Sequence, residues 1–361
     1  MKRRPAVKQV TTSTVQACLG LDLGDERSHF CLVGSEGEVE LRGVVPTERA
    51  ALAALLHGLP PARVVIEAST QSHWVASLMR SLRTEVYVAN PRRLPLITRS
   101  SRKNDRNDAE QLARIGRLDV ELLSPVQPRN DECMRERARL RSRSLLVRTR
   151  ARVIHSIRST FKVFGHKAPP CAAEYASRRF VAVIPPDLQS IIEPLVSTLQ
   201  ALDEQIKCFD RQVALEAKQR FPVTSALQQV HGVGPQVSLS FVTTLVDPRR
   251  FKNARSVGAF VGLTPRSHQS GQSDPRLGVS KEGDCALRSL LVTAATTILR
   301  RSSPDSDLKR YGRRIAASGT PRDKNRARIA VARKLAVLLH HLWLTGEVYE
   351  PLRHAKPNPA A

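Results

Sequence analysis

Short apolar runs alternate with polar turns in the first third of the chain, a pattern typical of a β-sheet. Strands are predicted at residues 17–23, 28–33, 39–45, 63–67 and 85–89. The segment Gly34-Ser35-Glu36-Gly37 supplies a turn between the second and third. Helices are predicted from Thr47, as the capping residue, to Leu56, and from about residue 71 to 82. Three strands followed by alternating helices and strands predict one mixed sheet with helices packed on it.

Beyond a boundary at residues 125–129, the pattern becomes helical. Residues 131–164 predict one long helix, and later helices are expected near residues 284–300 and 325–344. Between them, apolar residues recur at alternating spacings of four and three: Leu188, Ile192, Leu195, Leu199, Leu202, Ile206, Phe209 and Val213. This is a coiled-coil seam, whose partner helix could belong to the same chain or to another. Because proline is tolerated at helix starts, Pro194 is predicted to begin the regular helix.

The charge of the chain indicates a polyanionic partner. Among 361 residues, Lys and Arg number 58 against 33 Asp and Glu, a formal net charge of +25. DNA or RNA is the simplest partner for such a chain. Aromatic residues make up only 4%, which argues against a protein that binds single strands by base stacking. Eight arginines of the long helix are predicted to contact nucleic acid: Arg135, Arg137, Arg139, Arg141, Arg143, Arg148, Arg150 and Arg152.

Length and composition indicate two or three globular domains in a reducing compartment. The six cysteines are scattered, without a Cys-x-x-Cys pair, which argues against zinc and favours the cytoplasm. The chain has no apolar run long enough to cross a bilayer, and no signal-peptide core follows its basic first residues. No membrane association is therefore expected.

Four carboxylates stand out against this positive charge. Asp22 lies on the first predicted strand and Glu67 ends a later one, where ligands collect in α/β sheets. Asp105 and Asp108 are three residues apart on a predicted helix and therefore share a face. Taken alone, such a pair beside Arg106 is usually a solvated salt-bridge network. Together, the four acids predict an oxygen-rich site of the kind that Mg²⁺ prefers.

These segments resemble the DEDD motif of the IS110 family of insertion-sequence transposases, relatives of the Piv and MooV invertases. The first motif block consists of residues 19–22 (LGLD), 65–69 (VIEAS) and 103–109 (KNDRNDA). The second consists of residues 232–235 (GVGP), 247–251 (DPRRF), 262–266 (GLTPR), 269–271 (QSG), 278–281 (GVSK) and 330–336 (AVARKLA). The resemblance covers nearly the whole chain in the family's order and is highly specific, because two unrelated motif blocks coincide.

The resemblance implies an α/β plus α architecture. A RuvC-like ribonuclease-H-fold nuclease domain is expected at residues 15–125, after a flexible basic arm at residues 1–14. A long helical coiled-coil segment is expected at residues 126–222. A mainly helical C-terminal transposase domain would occupy residues 223–348, before a flexible tail at residues 349–361.

The resemblance also implies the chemistry. Asp22, Glu67, Asp105 and Asp108 would bind Mg²⁺ or Mn²⁺ and, with Ser270 before Gly271 as nucleophile, form the catalytic set. Five further residues are candidates for nucleic-acid contact: Gly232, Gly234, Arg266, Lys281 and Arg288. The two glycines lie in a turn resembling a helix-hairpin-helix, where backbone amides can approach a phosphate. Lys281 and Arg288 are placed near the serine loop as phosphate clamps.

The implied function is that of a site-specific DNA recombinase encoded by a mobile element. Its expected partners are donor and target DNA, a noncoding bridge RNA that guides it by base pairing, and further copies of itself as a dimer or tetramer. Such a protein would be cytoplasmic and associated with the bacterial nucleoid. Two alternatives remain: a hydrolytic, RuvC-like, structure-selective endonuclease with Ser270 idle, and a non-catalytic nucleic-acid-binding scaffold.

Overall fold

The computed structural model describes residues 17–94, 105–126, 129–266 and 277–353. The predicted arm at residues 1–14 and the candidate nucleophile Ser270 lie outside the described residues. The chain divides into two compact units, Met1–Arg129 and Asn130–Ala361, and each is described by itself below. The finer division of residues 126–348 into a helical segment and a transposase domain stays a prediction.

A five-stranded mixed sheet forms the centre of the first unit. Its strands are β1 (Cys18–Asp22), β2 (Arg27–Val33), β3 (Val39–Pro46), β4 (Arg63–Glu67) and β5 (Val86–Ala89). They are arranged in the order β3-β2-β1-β4-β5. The first three strands pair antiparallel, whereas β4 runs parallel to both β1 and β5. The mixed sheet predicted from the sequence is thereby confirmed.

Helices cover both faces of this sheet, because successive strand residues point to opposite sides. On one face, α1 (Arg49–His57) and α2 (Ser72–Ser81) pack on a core that includes Leu19, Leu21 and Ile66. On the other, α3 (Asp105–Leu118) packs on neighbouring strand residues such as Val65.

The prediction that Thr47 caps α1 is wrong. Glu48 holds the N-cap position and makes no side-chain capping bond. The Thr47 hydroxyl instead donates to the Gly24 carbonyl at 3.0 Å and pairs with the Ser28 hydroxyl at 2.8 Å. Thr47 therefore ties the end of β3 to the loop after β1, where the candidate site begins.

Two glycines allow α3 to lie unusually close to the sheet. A Cβ atom on Gly20 of β1 would collide with the carbonyl oxygen of Ala109, and one on Gly116 would collide with Val65 of β4. Both positions can therefore hold only hydrogen as a side chain without moving the helix. The first turn of α3, which carries Asp105 and Asp108, is positioned by this close contact.

The second unit is helical in its described parts. Its helices are α4 (Asp131–Val163), α5 (Ala176–Val181), α6 (Gln189–Gln219), α7 (Val223–Leu227), α8 (Pro235–Leu245), α9 (Ala254–Phe260), α10 (Cys285–Ile298), α11 (Asp307–Ile315) and α12 (Pro321–Thr345). Side-chain caps begin three of the longest: Asn130 for α4, Asp284 for α10 and Thr320 for α12. Each accepts a bond from a backbone N–H of the first turn, as capping residues do. None of the described helices is long and apolar enough to cross a membrane.

The coiled-coil seam of α6 is used within the chain. Five of its eight positions are buried: Leu188, Ile192, Leu199, Ile206 and Val213. The helix lies antiparallel to α4, as the ion pairs Arg139–Glu216, Arg143–Asp210 and Arg150–Asp203 indicate by their opposite order. Self-association stays a prediction, and the buried positions of this seam already pack within the chain. The helix begins at Gln189, so the prediction that it starts at Pro194 is wrong.

Half of the arginines predicted to contact nucleic acid are engaged inside the protein. Arg139, Arg143 and Arg150 pair with the acids of α6, and Arg137 pairs with Asp284 at 2.5 Å. These charges are neutralised locally, so they need no polyanion to balance them, and their predicted contact with nucleic acid stays untested. The remaining four are exposed: Arg135, Arg141, Arg148 and Arg152.

The first residues of the predicted flexible tail are bonded to the helical unit. The Tyr349 N–H donates to Gln229 at 2.9 Å, and the Pro351 carbonyl accepts from the Asp307 N–H at 2.7 Å. Arg353 pairs with Glu347 at 2.8 Å. Residues 349–353 are therefore tied to the helical unit, and residues 354–361 lie outside the described part of the chain.

Candidate active site

The ends of two parallel strands bring Asp22 and Glu67 together. Leu21 of β1 is in register with Ile66 of β4, so Asp22 and Glu67 follow at the same edge of the sheet. Neighbouring strands lie about 4.8 Å apart, which fixes how far the two backbones can separate. The sheet thus places two carboxylates side by side where parallel strands end.

The first turn of α3 adds two more acids at this edge. Asp108 is buried, whereas the side chain of Asp105 is 68% exposed. Together with Asp22 and Glu67 they line one pocket of about 280 Å³. The structure therefore brings together all four acids that the sequence analysis singled out.

Burial and the neighbouring acids both raise the pKa of Asp22. Burial is the largest cause that raises this pKa, from 3.8 to about 6, and the negative charges of Asp105, Asp108 and Glu67 add to it. His29 acts in the opposite direction. A carboxyl group with so high a pKa in a cleft is a candidate for function, because a cation would relieve the same repulsion.

His29 and Arg27 also line the pocket, and the sequence analysis missed both. His29 lies opposite Asp22 in the β1–β2 register, and its Nδ1 is 3.8 Å from the Asp105 carboxylate. The signal was present in the sequence: counting outward from the turn around residues 24–27, which joins β1 to β2, pairs residue 22 with residue 29. A histidine there adds an imidazole beside the carboxylates of Asp22 and Asp105.

The donor set suits a hard divalent cation, because carboxylate oxygens are the ligands that Mg²⁺ and Mn²⁺ prefer. The spacing is wider than a coordination shell: within the described residues, no three acid, histidine or cysteine side chains are close enough to hold a metal ion. Binding of a cation at this edge would therefore require the acids to draw closer together. The four carboxylates are suitable ligands for such a cation, and the pocket that they line is where it would bind.

Comparisons with known proteins agree with this arrangement. A DEDD transposase model matches residues 19–165, which include all four acids. A second model, described as "Transposase IS116/IS110/IS902 family", matches residues 224–311. The chain belongs to the IS110 family of transposases. It is therefore a transposase of an insertion sequence, with DNA as its substrate.

Curated relatives of the family match over most of their length. The transposase for insertion sequence element IS1111A of Coxiella burnetii is 28% identical, covering 96% of this chain and 93% of the relative. The transposase for element IS1328 of Yersinia enterocolitica is 27% identical, covering 92% and 98%. A Sinorhizobium fredii protein named as a transposase, y4pF/y4sB, is 30% identical, covering 80% and 75%.

The predicted nucleic-acid contacts of the IS110-family chain lie in the second unit. Gly232 has a positive φ of 86°, and a Cβ atom there would be 3.0 Å from the Ala294 carbonyl of α10. Close packing against α10 therefore explains why residue 232 is a glycine. Gly234 precedes α8 and has open space around it, so it keeps its backbone accessible. Its predicted role as a phosphate contact stays untested.

Arg288, predicted as a phosphate clamp, is used to hold the protein's own loop. Its Nη1 donates to the carbonyls of Glu282 at 2.8 Å and Val261 at 3.1 Å. These bonds hold the backbone at residues 261 and 282, which precede and follow the segment containing Ser270 in the sequence. Arg288 therefore stabilises the protein's own backbone on both sides of that segment. Arg266 and Lys281 are exposed, and both stay predicted phosphate contacts.

We expect Asp22→Asn to stabilise the metal-free protein near neutral pH. The folded-state pKa of Asp22, about 6, lies above its usual value of 3.8. The stability contributed by this group is therefore complete below about pH 4 and lost as the pH rises through about 6. Asn cannot ionise, so the variant escapes the penalty, by about 1 kcal/mol after allowance for solvent screening.

Thermal unfolding in EDTA, near pH 5 and near pH 7.5, measures this effect. The gain in Tm of Asp22→Asn over the parent should be larger at the higher pH. Glu26→Gln removes an exposed carboxylate four residues away, outside the residues that line the pocket, and provides the matched control. A gain of equal size at both pH values, or one shared by the control, would contradict the interpretation.

Proposed function

We propose that this IS110-family transposase is a metal-dependent site-specific DNA recombinase that uses a serine nucleophile. The observation that carries the proposal is the convergence of Asp22, Glu67, Asp105 and Asp108 on one pocket. The mixed sheet with acids at adjacent strand ends and on a later helix supports a RuvC-like ribonuclease-H fold for this unit. The coiled-coil segment at residues 126–222 and the transposase domain at residues 223–348 complete the proposed organisation.

The four carboxylates would hold Mg²⁺ or Mn²⁺. When bound, the metal would neutralise charge on the transferring phosphate and favour an in-line displacement. The protein's own groups have separate tasks. Arg27, at the same pocket, is suited by its charge and fork geometry to orient a phosphate oxygen, and His29 can carry a proton.

Ser270 is the proposed nucleophile, and it lies in the segment matched by the second family model. Its oxygen would form a bond to the scissile phosphorus while the bond from phosphorus to the deoxyribose oxygen breaks. The proton released by the serine hydroxyl balances the one that the leaving oxygen takes up. The number of phosphoester bonds is conserved, so the strand can be rejoined to another without an external energy source.

A guide RNA and self-association complete the proposal. The net charge of +25 and the exposed arginines Arg135, Arg141, Arg148 and Arg152 offer backbone contacts without base readout. Base pairing by a noncoding bridge RNA would then supply the choice of sequence. Exchange of strands between two duplexes requires that more than one copy of the chain acts in a dimer or tetramer.

Detection of a covalent protein–DNA adduct tests this function. The full chain is incubated with DNA that carries the junctions flanking its gene, with RNA transcribed from the same flanks, and with Mg²⁺. We expect an adduct that survives SDS, releases its DNA on proteolysis, and is absent when EDTA replaces Mg²⁺. Cleavage in Mg²⁺ without any adduct would identify a hydrolytic endonuclease. An adduct that forms equally in EDTA would remove the metal site from the mechanism.

A further inference from the structure

A basic groove of about 700 Å³ opens in the second unit between α9 and α12. Five positively charged side chains line it: Arg255, Arg322, Arg326, Arg333 and Lys334. None of the described residues that line the groove is acidic. A concave surface lined by one sign of charge focuses its field and attracts a polyanion.

The charges form an ordered stripe. Arg322, Arg326 and Arg333 are separated by four and seven residues on α12, so they lie on one face of the helix. The stem of Arg333 lies against Gly258 of α9, where a Cβ atom would come within 3.1 Å of it, and this contact fixes its direction. Lys334 lies with its ammonium 4.0 Å from the centre of the Tyr311 ring.

The charges differ in how far they are neutralised. Arg326 pairs with Asp323 at 3.1 Å, a surface pair of small energetic value. Arg255 and Arg322 are exposed, and neither has an ion pair with another described residue. These two positions therefore offer the charge that an incoming phosphate can use at the lowest desolvation cost.

The floor of the groove is apolar and belongs to the two chain segments that flank the candidate nucleophile. Pro265 and Val279 form an antiparallel bridge. The Arg266 N–H donates to the Gly278 carbonyl at 2.9 Å, and the Ser280 N–H donates to the Thr264 carbonyl at 2.8 Å. Ser270 follows Arg266 by four residues in the sequence and lies outside the described residues.

We propose that this groove binds the sugar–phosphate backbone of the DNA strand that is presented to Ser270. The inference rests on the proposed function. Arginine forks match the geometry of phosphate oxygens, and the apolar floor suits the faces of deoxyribose rings. Charge comes from α9 and α12, and part of the apolar lining comes from the segments that precede and follow Ser270 in the sequence.

Salt-dependent DNA binding by the full chain tests the groove. The Arg255→Gln/Arg322→Gln protein is compared with the parent, with a mixed-sequence DNA duplex as the probe and EDTA present. The matched control is Arg314→Gln/Lys324→Gln, which removes two exposed charges of α11 and α12 that do not line the groove. Each phosphate contact contributes about 0.9 to the slope of log K against log salt concentration.

The groove variant should lose about 1.8 from this slope, so its salt sensitivity between 50 and 200 mM falls about tenfold relative to the parent. The control should keep the parental slope. Equal losses in the groove variant and the control would overturn the proposal, because general charge would then explain binding. It would also be overturned if the groove variant lost affinity for RNA of the same sequence while its affinity for DNA stayed unchanged.

The same experiment separates this inference from the proposed function. Binding in EDTA requires neither the metal nor the nucleophile, so the comparison is repeated in a Ser270→Ala background. If the parent chain forms no covalent adduct in Mg²⁺ but the groove variant still loses slope in EDTA, the groove binds DNA and the recombinase mechanism fails. If the adduct forms and the slope is unchanged, the mechanism stands and the groove inference fails.

Discussion

Strand cleavage by the Asp22→Asn protein is expected to fall by at least about a thousandfold in saturating Mg²⁺. Asp22 shares its pocket with the other three acids, and its pKa is raised by burial and by the charges of Asp105, Asp108 and Glu67. Replacing a carboxylate by an amide removes a charge that a divalent cation requires, and each factor of ten corresponds to about 1.4 kcal/mol of transition-state stabilisation. Single-turnover cleavage of junction DNA measures the rate.

Misfolding cannot imitate this result, because the same substitution is expected to stabilise the metal-free fold near neutral pH. An inactive Asp22→Asn protein with a raised Tm would thus separate chemistry from folding. Glu26→Gln should cleave at the parental rate. Cleavage by Asp22→Asn within tenfold of the parent would show that this acid does not serve the reaction, whereas absence of cleavage by the parent as well would favour the non-catalytic scaffold.

Ser270→Ala is expected to abolish the covalent adduct and to reduce strand joining by at least about 10⁴-fold, since the variant lacks the attacking oxygen. The carboxylates of the first unit are unchanged in this variant. DNA binding in EDTA should therefore stay at the parental level. Adduct yield and joined product are both read on denaturing gels.

Ser273→Ala provides the control, because it removes a hydroxyl from the same segment three residues away. It should form adduct as the parent does. If Ser270→Ala still cuts DNA at the parental rate and the parent forms no adduct, a hydrolytic endonuclease is the correct interpretation. If Ser273→Ala alone loses the adduct, the nucleophile has been assigned to the wrong serine.

The sheet could be predicted from the sequence because its strands are short, apolar and separated by clear turns. The predicted strand at residues 63–67 coincides with Arg63–Glu67. Failures came where a side chain had a choice of partners. Thr47 could cap a helix, yet its hydroxyl bonds to Gly24 and Ser28, and only the folded β3 brings those partners near. Pro194 lies inside α6, five residues after its first residue, so the helix continues through a proline at the loss of one backbone hydrogen bond.

The acidic part of the site could be predicted because strand ends and helix spacing fix where carboxylates meet. His29 was missed, since its place beside Asp22 depends on the hairpin register. The arginines of α4 were overestimated because the sequence alone does not show that Asp203 and Asp210 lie opposite Arg150 and Arg143. One-sided charge on a helix therefore indicates a polyanion only after the acids of neighbouring helices are accounted for.

The absence of a side chain at Gly20 links the whole acidic cluster to a single backbone contact. Because the Ala109 carbonyl of α3 occupies the space that a methyl group would need, a larger residue would push the helix outward as a rigid rod. Asp105 and Asp108 would then retreat from the strand acids in one movement. A larger residue at position 20 should therefore abolish metal affinity by displacing Asp105 and Asp108 together. Exchange of any single acid, in contrast, leaves the remaining three in place.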